Sequence, residues 1–156
     1  MFHLFKKESI CVQAPISGTV IALEQVNDPT FAQKLMGDGL AIKPSDHTVC
    51  APIEGELILV ADTLHAFGIR AKDGTELLIH IGIDTVMLKG SGFQQLHQQG
   101  ETIKAQEPII TFSETYLHQK DLDLTTIVIA TNAGSKVLGN MREGTIHTGD
   151  LLLSLK

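Results

Sequence analysis

Short runs in which apolar and polar residues alternate predict that this chain is built mainly from β-strands. One run is Thr75-Glu-Leu-Leu-Ile-His-Ile-Gly-Ile83 and another is Thr125-Thr-Ile-Val-Ile-Ala-Thr131, each bounded by residues that favour turns. Lys72-Asp-Gly-Thr75 separates the first run from Phe67-Gly-Ile-Arg70, a spacing typical of a β-hairpin. We therefore expect antiparallel strands joined by tight turns.

Helical patterns are few and short. Residues Pro29–Met36 fit one or two helical turns, with Asp28 as the N-cap and Pro29 at the first helical position. The segments near Phe93–His97 and Glu114–Lys120 are two further candidates for helical turns. Turns of this length decorate a sheet and do not form a layer of their own.

Two internal repeats constrain the fold more than any single element does. Val12–Leu23 and Val49–Val60 both read Val-x-Ala-Pro-Ile-x-Gly followed by an apolar run, and Thr102–Ile110 resembles Thr145–Leu153 more loosely. The units of each pair look like two strands joined by a bend or an acidic turn. Matched units of this kind predict sheets folded over one another about a pseudo-twofold axis.

The prolines and glycines of the first repeat suit this arrangement. Pro15 and Pro52 cannot donate to a ladder, which places them at strand starts or edges. Gly18 and Gly55 suit the bend that follows. The predicted class is therefore all-β, an antiparallel β-sandwich or flattened barrel with a few short helical turns.

The chain is expected to form one domain over residues 10–156, because it contains no linker, low-complexity tract or charge run. Residues 1–9 are expected to be a flexible N-terminal segment. Met1-Phe-His-Leu-Phe-Lys-Lys7 lacks the features of a secretory signal, and a frayed terminus is favoured over a weak interfacial anchor.

Composition and charge narrow the classes of function. The 156 residues carry a formal net charge of −6, which argues against nucleic acid as a partner and suits attraction to a basic protein. Cys11 and Cys50 match no zinc spacing and are too few for a disulfide framework. No apolar run reaches the ~18 residues that span a bilayer, so we expect no integral membrane segment and a place in the cytoplasm.

His80 is the first candidate for chemistry. Alternation along its strand sends Leu77, Ile79, Ile81 and Ile83 to one face, which their size and apolarity assign to the core. His80 then stands on the opposite face, beside Gly82 and before Asp84. Periodicity alone leaves two readings of this face open, a site or a surface that merely touches solvent.

His65 is brought to His80 by the predicted hairpin. Folding about Asp73-Gly74 sets residues near 65–67 alongside residues near 80–82, so that two imidazoles face one another. Thr63 lies two positions before His65, where its hydroxyl can fix the tautomer and ring angle of that histidine. This geometry suits both metal binding and phosphoryl transfer, and these residues do not separate the two.

Two rival chemistries lack residues that they need. A zinc hydrolase requires at least three protein ligands, and although His80 and Asp84 have a spacing used by some zinc peptidases, the chain contains no His-x-His element. A biotin or lipoyl carrier requires a modified lysine at an exposed hairpin tip, typically flanked by Met or Asp. Lys72-Asp-Gly lies at a turn but lacks that setting.

Longer strings in the chain resemble a known family. They are Thr63–Ile69 followed by Glu76–Phe93, together with Phe31–Pro44 and the string Ala14-Pro-Ile-Ser-Gly18. The strings resemble the signature of the glucose-family enzyme IIA of the bacterial sugar phosphotransferase system. The resemblance runs from about residue 10 to the C-terminus.

The resemblance implies an antiparallel β-sandwich that accepts a phosphoryl group from the phosphocarrier HPr and passes it to the IIB domain of a sugar permease. It implies that His80 carries the phosphoryl group on Nε2 while its Nδ1 donates to the carbonyl of Gly82. It also implies that His65 supports the phosphoryl group and is needed for onward transfer, and that Thr63 hydrogen-bonds His65. Such a phosphotransferase component is expected to need no cofactor.

The resemblance also implies which residues meet partners. Asp28 and Asp84 fall where the family meets an arginine of HPr. Four apolar residues fall in or near the rim that docks partners: Phe31, Met36, Phe67 and Phe93. Alternation puts Phe67 on the same face as His65, which favours the site for it.

Further properties of such proteins depend on their partners. Some relatives regulate other proteins through the same face, and His65 and His80 would bind a metal only with a ligand supplied by a partner. The sugar is not readable, because specificity lies in the membrane subunit. The alternative function is a module that only docks partners, but a paired imidazole site with Thr63 favours the carrier, since docking alone has no need of it.

Overall fold

The computed structural model describes residues 9–156, and over this range the chain forms fourteen β-strands and two short α-helices. The strands are β1 (Ile10–Gln13), β2 (Gly18–Ala22), β3 (Asp38–Pro44), β4 (Thr48–Cys50), β5 (Gly55–Val60), β6 (Ala66–Arg70), β7 (Glu76–Ile81), β8 (Phe93–Gln95), β9 (Thr102–Ile103), β10 (Pro108–Phe112), β11 (Thr126–Ala130), β12 (Leu138–Gly139), β13 (Gly144–Ile146) and β14 (Leu151–Leu155). The helices are α1 (Pro29–Ala32) and α2 (Glu114–Gln119), and two 3-10 turns cover Leu23–Gln25 and Thr85–Leu88.

The strands form one large antiparallel sheet and two small ones. The large sheet has the order β13-β2-β3-β11-β7-β6-β5-β9, and the small sheets have the orders β1-β14-β12 and β4-β10-β8. A single main core packs apolar residues of the large sheet against those of both small sheets, for example Ile79 and Val128 with Leu153 and Ile110. This is the predicted antiparallel sandwich, and the all-β class is confirmed.

The hydrogen bonds between the two repeats confirm the pseudo-twofold relation. The N–H of Gln13 donates to the carbonyl of Pro52 at 2.8 Å, and the equivalent N–H of Cys50 donates to the carbonyl of Pro15 at 2.8 Å. The strand order of the large sheet has the same symmetry, because β2 and β3 on one side of its centre correspond to β5 and β6 on the other. The pseudo-twofold axis therefore passes between the two central strands, β11 and β7.

The first repeat differs from expectation in the role of its glycines. Gly18 and Gly55 open β2 and β5 and do not form the bend, which lies before them around Pro15 and Pro52. A Cβ on Gly18 would lie 2.0 Å from the carbonyl oxygen of Lys43 on the paired strand, and one on Gly55 would lie 2.1 Å from that of Arg70. Glycine is needed here because two backbones approach closely.

A smaller apolar cluster covers the other face of the large sheet. Its buried members are Leu23, Val26, Phe31, Ala41, Ile83, Ile127 and Ile129. The connection between β2 and β3 supplies three of these residues: Leu23 from the 3-10 turn, Val26 just after it, and Phe31 from helix α1. The face opposite the main core is therefore partly apolar, and the candidate site lies at its margin.

The predicted helical turns have three different outcomes. Helix α1 begins after the Asp28 cap as predicted, with Asp28 Oδ1 accepting from the N–H of Thr30 at 2.9 Å, but it ends at Ala32, before Lys34 turns to a φ of +58°. Helix α2 covers Glu114–Gln119 as predicted. The prediction near Phe93–His97 is wrong, because Phe93–Gln95 pairs with β10 as strand β8.

The start of the chain lies almost wholly outside this description. The predicted flexible segment, residues 1–9, falls outside the described residues except for Ser9. Within residues 9–156, no helix is long and apolar enough to cross a membrane.

Candidate functional site

The hairpin of β6 and β7 brings His65 and His80 together, as the sequence predicts. Ala66 pairs with His80 across the hairpin, and the N–H of Ile81 donates to the carbonyl of His65 at 2.6 Å. The two imidazole rings have centroids 4.9 Å apart and meet edge to face at 83°. The pair is the centre of the candidate site.

His65 reaches this position because it lies just outside its strand. Strand β6 begins at Ala66, and Leu64 before it has a φ of +59°, the left-handed region, which turns the chain. Strict alternation would have put the side chain of His65 on the same face as Phe67. The expected link between these two residues is therefore wrong: Phe67 is fully buried in the main core and does not line a docking surface.

The face of β7 that carries His80 is less open than a solvent surface. Leu77, Ile79 and Ile81 are buried in the main core as predicted, but Ile83 packs in the second cluster, since the strand ends at Ile81. The Phe31 ring of the same cluster lies 4.8 Å from the His80 ring, between ring centroids. His80 is therefore half-buried between an apolar ring and the other histidine.

The carbonyl of Gly82 sets the tautomer of His80. The Nδ1 atom of His80 lies 2.9 Å from this oxygen, and because a carbonyl can only accept, Nδ1 must carry the proton. Gly82 has a φ of +80°, and a Cβ there would come within 2.5 Å of Thr85 Cγ2 and 3.0 Å of the Asp123 carbonyl oxygen. Only glycine fits this turn. Because the hydrogen bond to the Gly82 carbonyl keeps the proton on Nδ1, Nε2 of His80 is the nitrogen with a free lone pair.

Thr63 holds His65 by a short hydrogen bond. Its Oγ1 lies 2.6 Å from Nδ1 of His65, which matches the contact expected from the sequence. The bond fixes the ring angle of His65 from the side that faces away from Nε2. Both histidines of the pair thus have Nδ1 engaged and Nε2 left for a ligand.

Burial keeps the His80 ring neutral. Desolvation is the largest cause that lowers its pKa, to about 4, with a further lowering by His65, while the Gly82 hydrogen bond and the Asp28 and Asp84 carboxylates act in the opposite direction. Desolvation also lowers the pKa of His65. At neutral pH both imidazoles are therefore uncharged, and His80 has the lone pair that a nucleophile requires.

The predicted apolar contacts divide into buried and exposed residues. Phe31 is buried and touches the His80 ring; Phe93 is half-buried, with its ring 6.4 Å from that of Phe112. Met36, at 43% exposed, is the most exposed of the four predicted residues.

Three exposed apolar residues were not predicted from the sequence, and they lie in the segments that follow Phe31 and Asp84. Leu35 is 70% exposed beside Met36, and Val86 and Met87 are 48% and 76% exposed just after Asp84. We call Leu35, Met36, Val86 and Met87 the apolar rim. The sequence could have indicated them, because large apolar residues are unusual in short connections that flank a candidate site unless they meet a partner.

Two potential metal ligands, His65 and His80, meet at the site. Within residues 9–156, no group of three or more His, Cys, Asp or Glu side chains is arranged to hold a metal ion. His65 and His80 supply two nitrogens, fewer than the three protein ligands of a catalytic zinc site.

Comparison with known proteins gives a consistent picture. Residues 10–136 match the family described as phosphoenolpyruvate-dependent sugar phosphotransferase system, EIIA 1. A glucose-specific EIIA component of Mycoplasma capricolum is 37% identical over 97% of this chain and 99% of its own length. A glucose-specific EIIA component of Staphylococcus epidermidis is 41% identical over 81% of this chain and 76% of its own.

A solved structure agrees with the fold. The glucose permease IIA from Mycoplasma capricolum superimposes with a TM-score of 0.93 at 37% identity, covering 97% of this chain and 99% of that one. The family match spans most of the chain and includes the paired histidines. This protein therefore belongs to the EIIA 1 family of the phosphoenolpyruvate-dependent sugar phosphotransferase system, whose members are phosphocarriers in sugar uptake.

Proposed function

We propose that His80 accepts a phosphoryl group from phospho-HPr and passes it to the IIB domain of a sugar permease in the cytoplasm. EIIA proteins work with HPr and IIB domains in general. The observation that carries the proposal is the pairing of His80 with His65, in which the Gly82 carbonyl holds the proton of His80 on Nδ1 and leaves Nε2 free.

The transfer needs one bond to form and one to break. The lone pair on Nε2 of His80 attacks the phosphorus atom of the phosphohistidine on HPr, and the P–N bond to HPr breaks as its imidazole nitrogen takes back the electron pair. Nδ1 of His80 keeps its proton, and the Gly82 carbonyl, 2.9 Å away, stabilises the positive charge that develops on the ring. In the second transfer the P–Nε2 bond breaks as a nucleophile on IIB attacks.

His65 is the residue next to the transferred group. Its ring stands edge-on to His80 with centroids 4.9 Å apart, and its pKa is lowered by burial, so it meets the phosphoryl oxygens as a neutral hydrogen-bond donor. Donation from Nε2–H requires that Nδ1 accept from the hydroxyl of Thr63, and their 2.6 Å contact is suited to that arrangement. Phosphoryl transfer depends mainly on positioning and charge stabilisation, which is what this pair offers.

The surroundings of the pair suit a basic, partly apolar partner. Asp28 and Asp84 place negative charge near His80 and would attract an arginine of HPr, acting mainly on the rate of association. The apolar rim supplies exposed aliphatic and methionine side chains that a partner can bury. Burial of the rim would exclude water and protect a labile phosphohistidine from hydrolysis.

Phosphorylation with purified components tests the role of His80. The protein is incubated with phosphoenolpyruvate, enzyme I and HPr, and intact mass is recorded before and after mild acid. We expect an acid-labile gain of about 80 Da, one HPO3 group, that is lost in His80→Ala and kept in His118→Ala, a change at an exposed histidine of α2. Absence of the adduct in the wild type, or its persistence in His80→Ala, would refute the proposal.

A second variant separates acceptance from delivery. His65→Gln should still gain the phosphoryl group from HPr but should transfer it slowly to a IIB domain, because the support for the leaving phosphoryl group is weakened. Delivery is followed as loss of the adduct after addition of IIB, and unimpaired delivery would exclude the supporting role. The IIB domain of a glucose permease is the first to test, since the relatives are named glucose-specific.

The competing reading is a module that only docks partners through the same face, for instance to regulate them. It predicts no adduct in the mass experiment, whatever binds to the rim.

A further inference from the structure

Thr85 is a fully buried threonine that follows the end of β7 and has no role in the phosphoryl transfer proposed above. Its hydroxyl donates to the carbonyl oxygen of Ile81, the residue after His80. Its methyl group lies beside Gly82, since a Cβ on that glycine would come within 2.5 Å of Thr85 Cγ2. Both contacts are with the segment that carries the acceptor of the His80 proton.

The hydroxyl of Thr85 holds one end of the peptide group between Ile81 and Gly82. The carbonyl of this peptide accepts from Thr85, and its N–H donates to the carbonyl of Thr125 at 3.0 Å. Because a peptide group is planar, bonds at its two ends fix the orientation of the whole plane. The chain thus enters Gly82 in a set direction.

The next peptide group carries the atom that matters for His80. Its carbonyl is that of Gly82, which accepts from Nδ1 of His80 at 2.9 Å, and its N–H, on Ile83, donates to the carbonyl of Asp123 at 2.8 Å. Between the two planes only the φ and ψ angles of Gly82 are free. Glycine has a wide choice of these angles, and its φ of +80° is one that few other residues adopt.

The methyl of Thr85 limits this freedom. It occupies the space beside Gly82 that a side chain would otherwise take. Loss of the hydroxyl would leave the buried carbonyl of Ile81 without this partner, and loss of the methyl would leave room beside the glycine. Either change would let the Gly82 carbonyl move away from the imidazole.

We propose that Thr85 is a positioning residue of the phosphoryl-transfer site, which holds the Gly82 carbonyl on Nδ1 of His80 and so keeps Nε2 as the unprotonated nitrogen. The effect of Thr85 on phosphoryl transfer rests on the proposed role of His80. The effect of Thr85 on the tautomer of His80 does not rest on that role, because the tautomer exists in the unphosphorylated protein.

The test compares Thr85→Val, which keeps the shape and loses the hydroxyl, with Thr85→Ser, which keeps the hydroxyl. Nitrogen-15 NMR of the unphosphorylated, histidine-labelled protein distinguishes protonated from unprotonated ring nitrogens. We expect the valine variant to lose part of the Nδ1–H tautomer of His80 and to be phosphorylated by HPr about two- to tenfold more slowly. The serine variant should stay nearer to the wild type in both measurements.

Thr111→Val is the matched control. It removes a hydroxyl that donates to the carbonyl of His47 at 3.0 Å on β10, away from the paired histidines, and it should leave the His80 tautomer and the phosphorylation rate unchanged. If Thr85→Val does not fold, Thr85→Ser and Thr85→Ala make the same comparison of variants with and without a hydroxyl.

Two outcomes separate this proposal from others. A valine or alanine variant that unfolds more easily but keeps the wild-type tautomer and rate would overturn it, and Thr85 would be structural only. A shifted tautomer in a protein whose wild type accepts no phosphoryl group would instead overturn the role of His80 and leave the positioning role standing.

Discussion

The depressed pKa of His80 makes a quantitative prediction about stability in acid. The folded ring has a pKa of about 4, against an ordinary value of 6.5 for the unfolded chain. Below pH 6.5 the unfolded state therefore binds a proton on this ring that the folded state does not. The free energy of unfolding must fall as the pH decreases from 6.5 toward 4, and the contribution of His80 levels off below that range.

The size of the effect follows from the two pKa values. At about pH 5 the unfolded ring is almost fully protonated and the folded ring is still neutral. Protonation of the ring then stabilises the unfolded state by about 2 kcal/mol, which lowers the free energy of unfolding by that amount. At about pH 7.5 the same contribution is close to zero. For a domain of ordinary stability this is a substantial fraction of the total.

Urea unfolding of the wild type and of His80→Gln at these two pH values measures the effect. Glutamine cannot take up a proton, so the variant should lose about 2 kcal/mol less than the wild type on going from about pH 7.5 to about pH 5. His118→Gln, at an exposed position on α2, controls for replacing an imidazole with an amide. His65 also has a lowered pKa, and its contribution remains in both proteins.

An equal loss of free energy by the wild type and His80→Gln over this range would contradict a depressed pKa of His80. An NMR titration of the folded protein in which the His80 ring takes up its proton near pH 6.5 would contradict it equally. Either result would mean that Phe31 and His65 do not exclude water from the ring as their positions indicate.

Three further predictions concern neighbours of the pair. Gly82→Ala should lower the free energy of unfolding by about 2–4 kcal/mol in urea, because its Cβ would meet Thr85 and the backbone has a positive φ; wild-type stability would contradict this. Thr63→Val should accept the phosphoryl group from HPr but deliver it more slowly to IIB, because His65 loses its 2.6 Å partner; a normal delivery rate would exclude a role for that bond. Met87→Asp should raise the KM for HPr about tenfold while the free energy of unfolding changes by less than about 0.5 kcal/mol, because the residue is 76% exposed; an unchanged KM would remove it from the docking surface.

The two halves related by the pseudo-twofold axis differ at the position of His80. Ala66 pairs with His80 as Gly39 pairs with Ile129, so the two halves place a histidine and an isoleucine at equivalent points of β7 and β11. Ile129 is buried in the second cluster, and it contributes only packing. The same backbone thus carries a histidine of the candidate site in one half and a hydrophobic core residue in the other.

Several features were readable from the residues because they are local. The strand through His80, the turn at Lys72–Thr75 and the Asp28 cap all follow from spacing and turn preference, and the structure has them where they were expected. The internal repeats also predicted the two related halves. The prediction of a helix near Phe93–His97 failed because the pairing of this segment with β10 depends on residues distant in the sequence.

The candidate site was readable only in part. Alternation separated His80 from the main core, but the same rule wrongly put Phe67 beside His65, since the turn at Leu64 falls outside any periodicity. The rim residues Leu35, Val86 and Met87 were missed because exposure of an apolar side chain in a connection is decided by what packs over it.

The sequence by itself determined the strand pattern, the duplicated units and the presence of two histidines at a spacing that a hairpin brings together. Only the tertiary structure decided which nitrogen of His80 is free, how far its pKa falls and which apolar residues stay exposed. The physical reason is that hydrogen-bond direction and desolvation depend on atoms contributed by distant segments. The Gly82 carbonyl, the Phe31 ring and the His65 imidazole come together around His80 only once the sheet and its connections have folded.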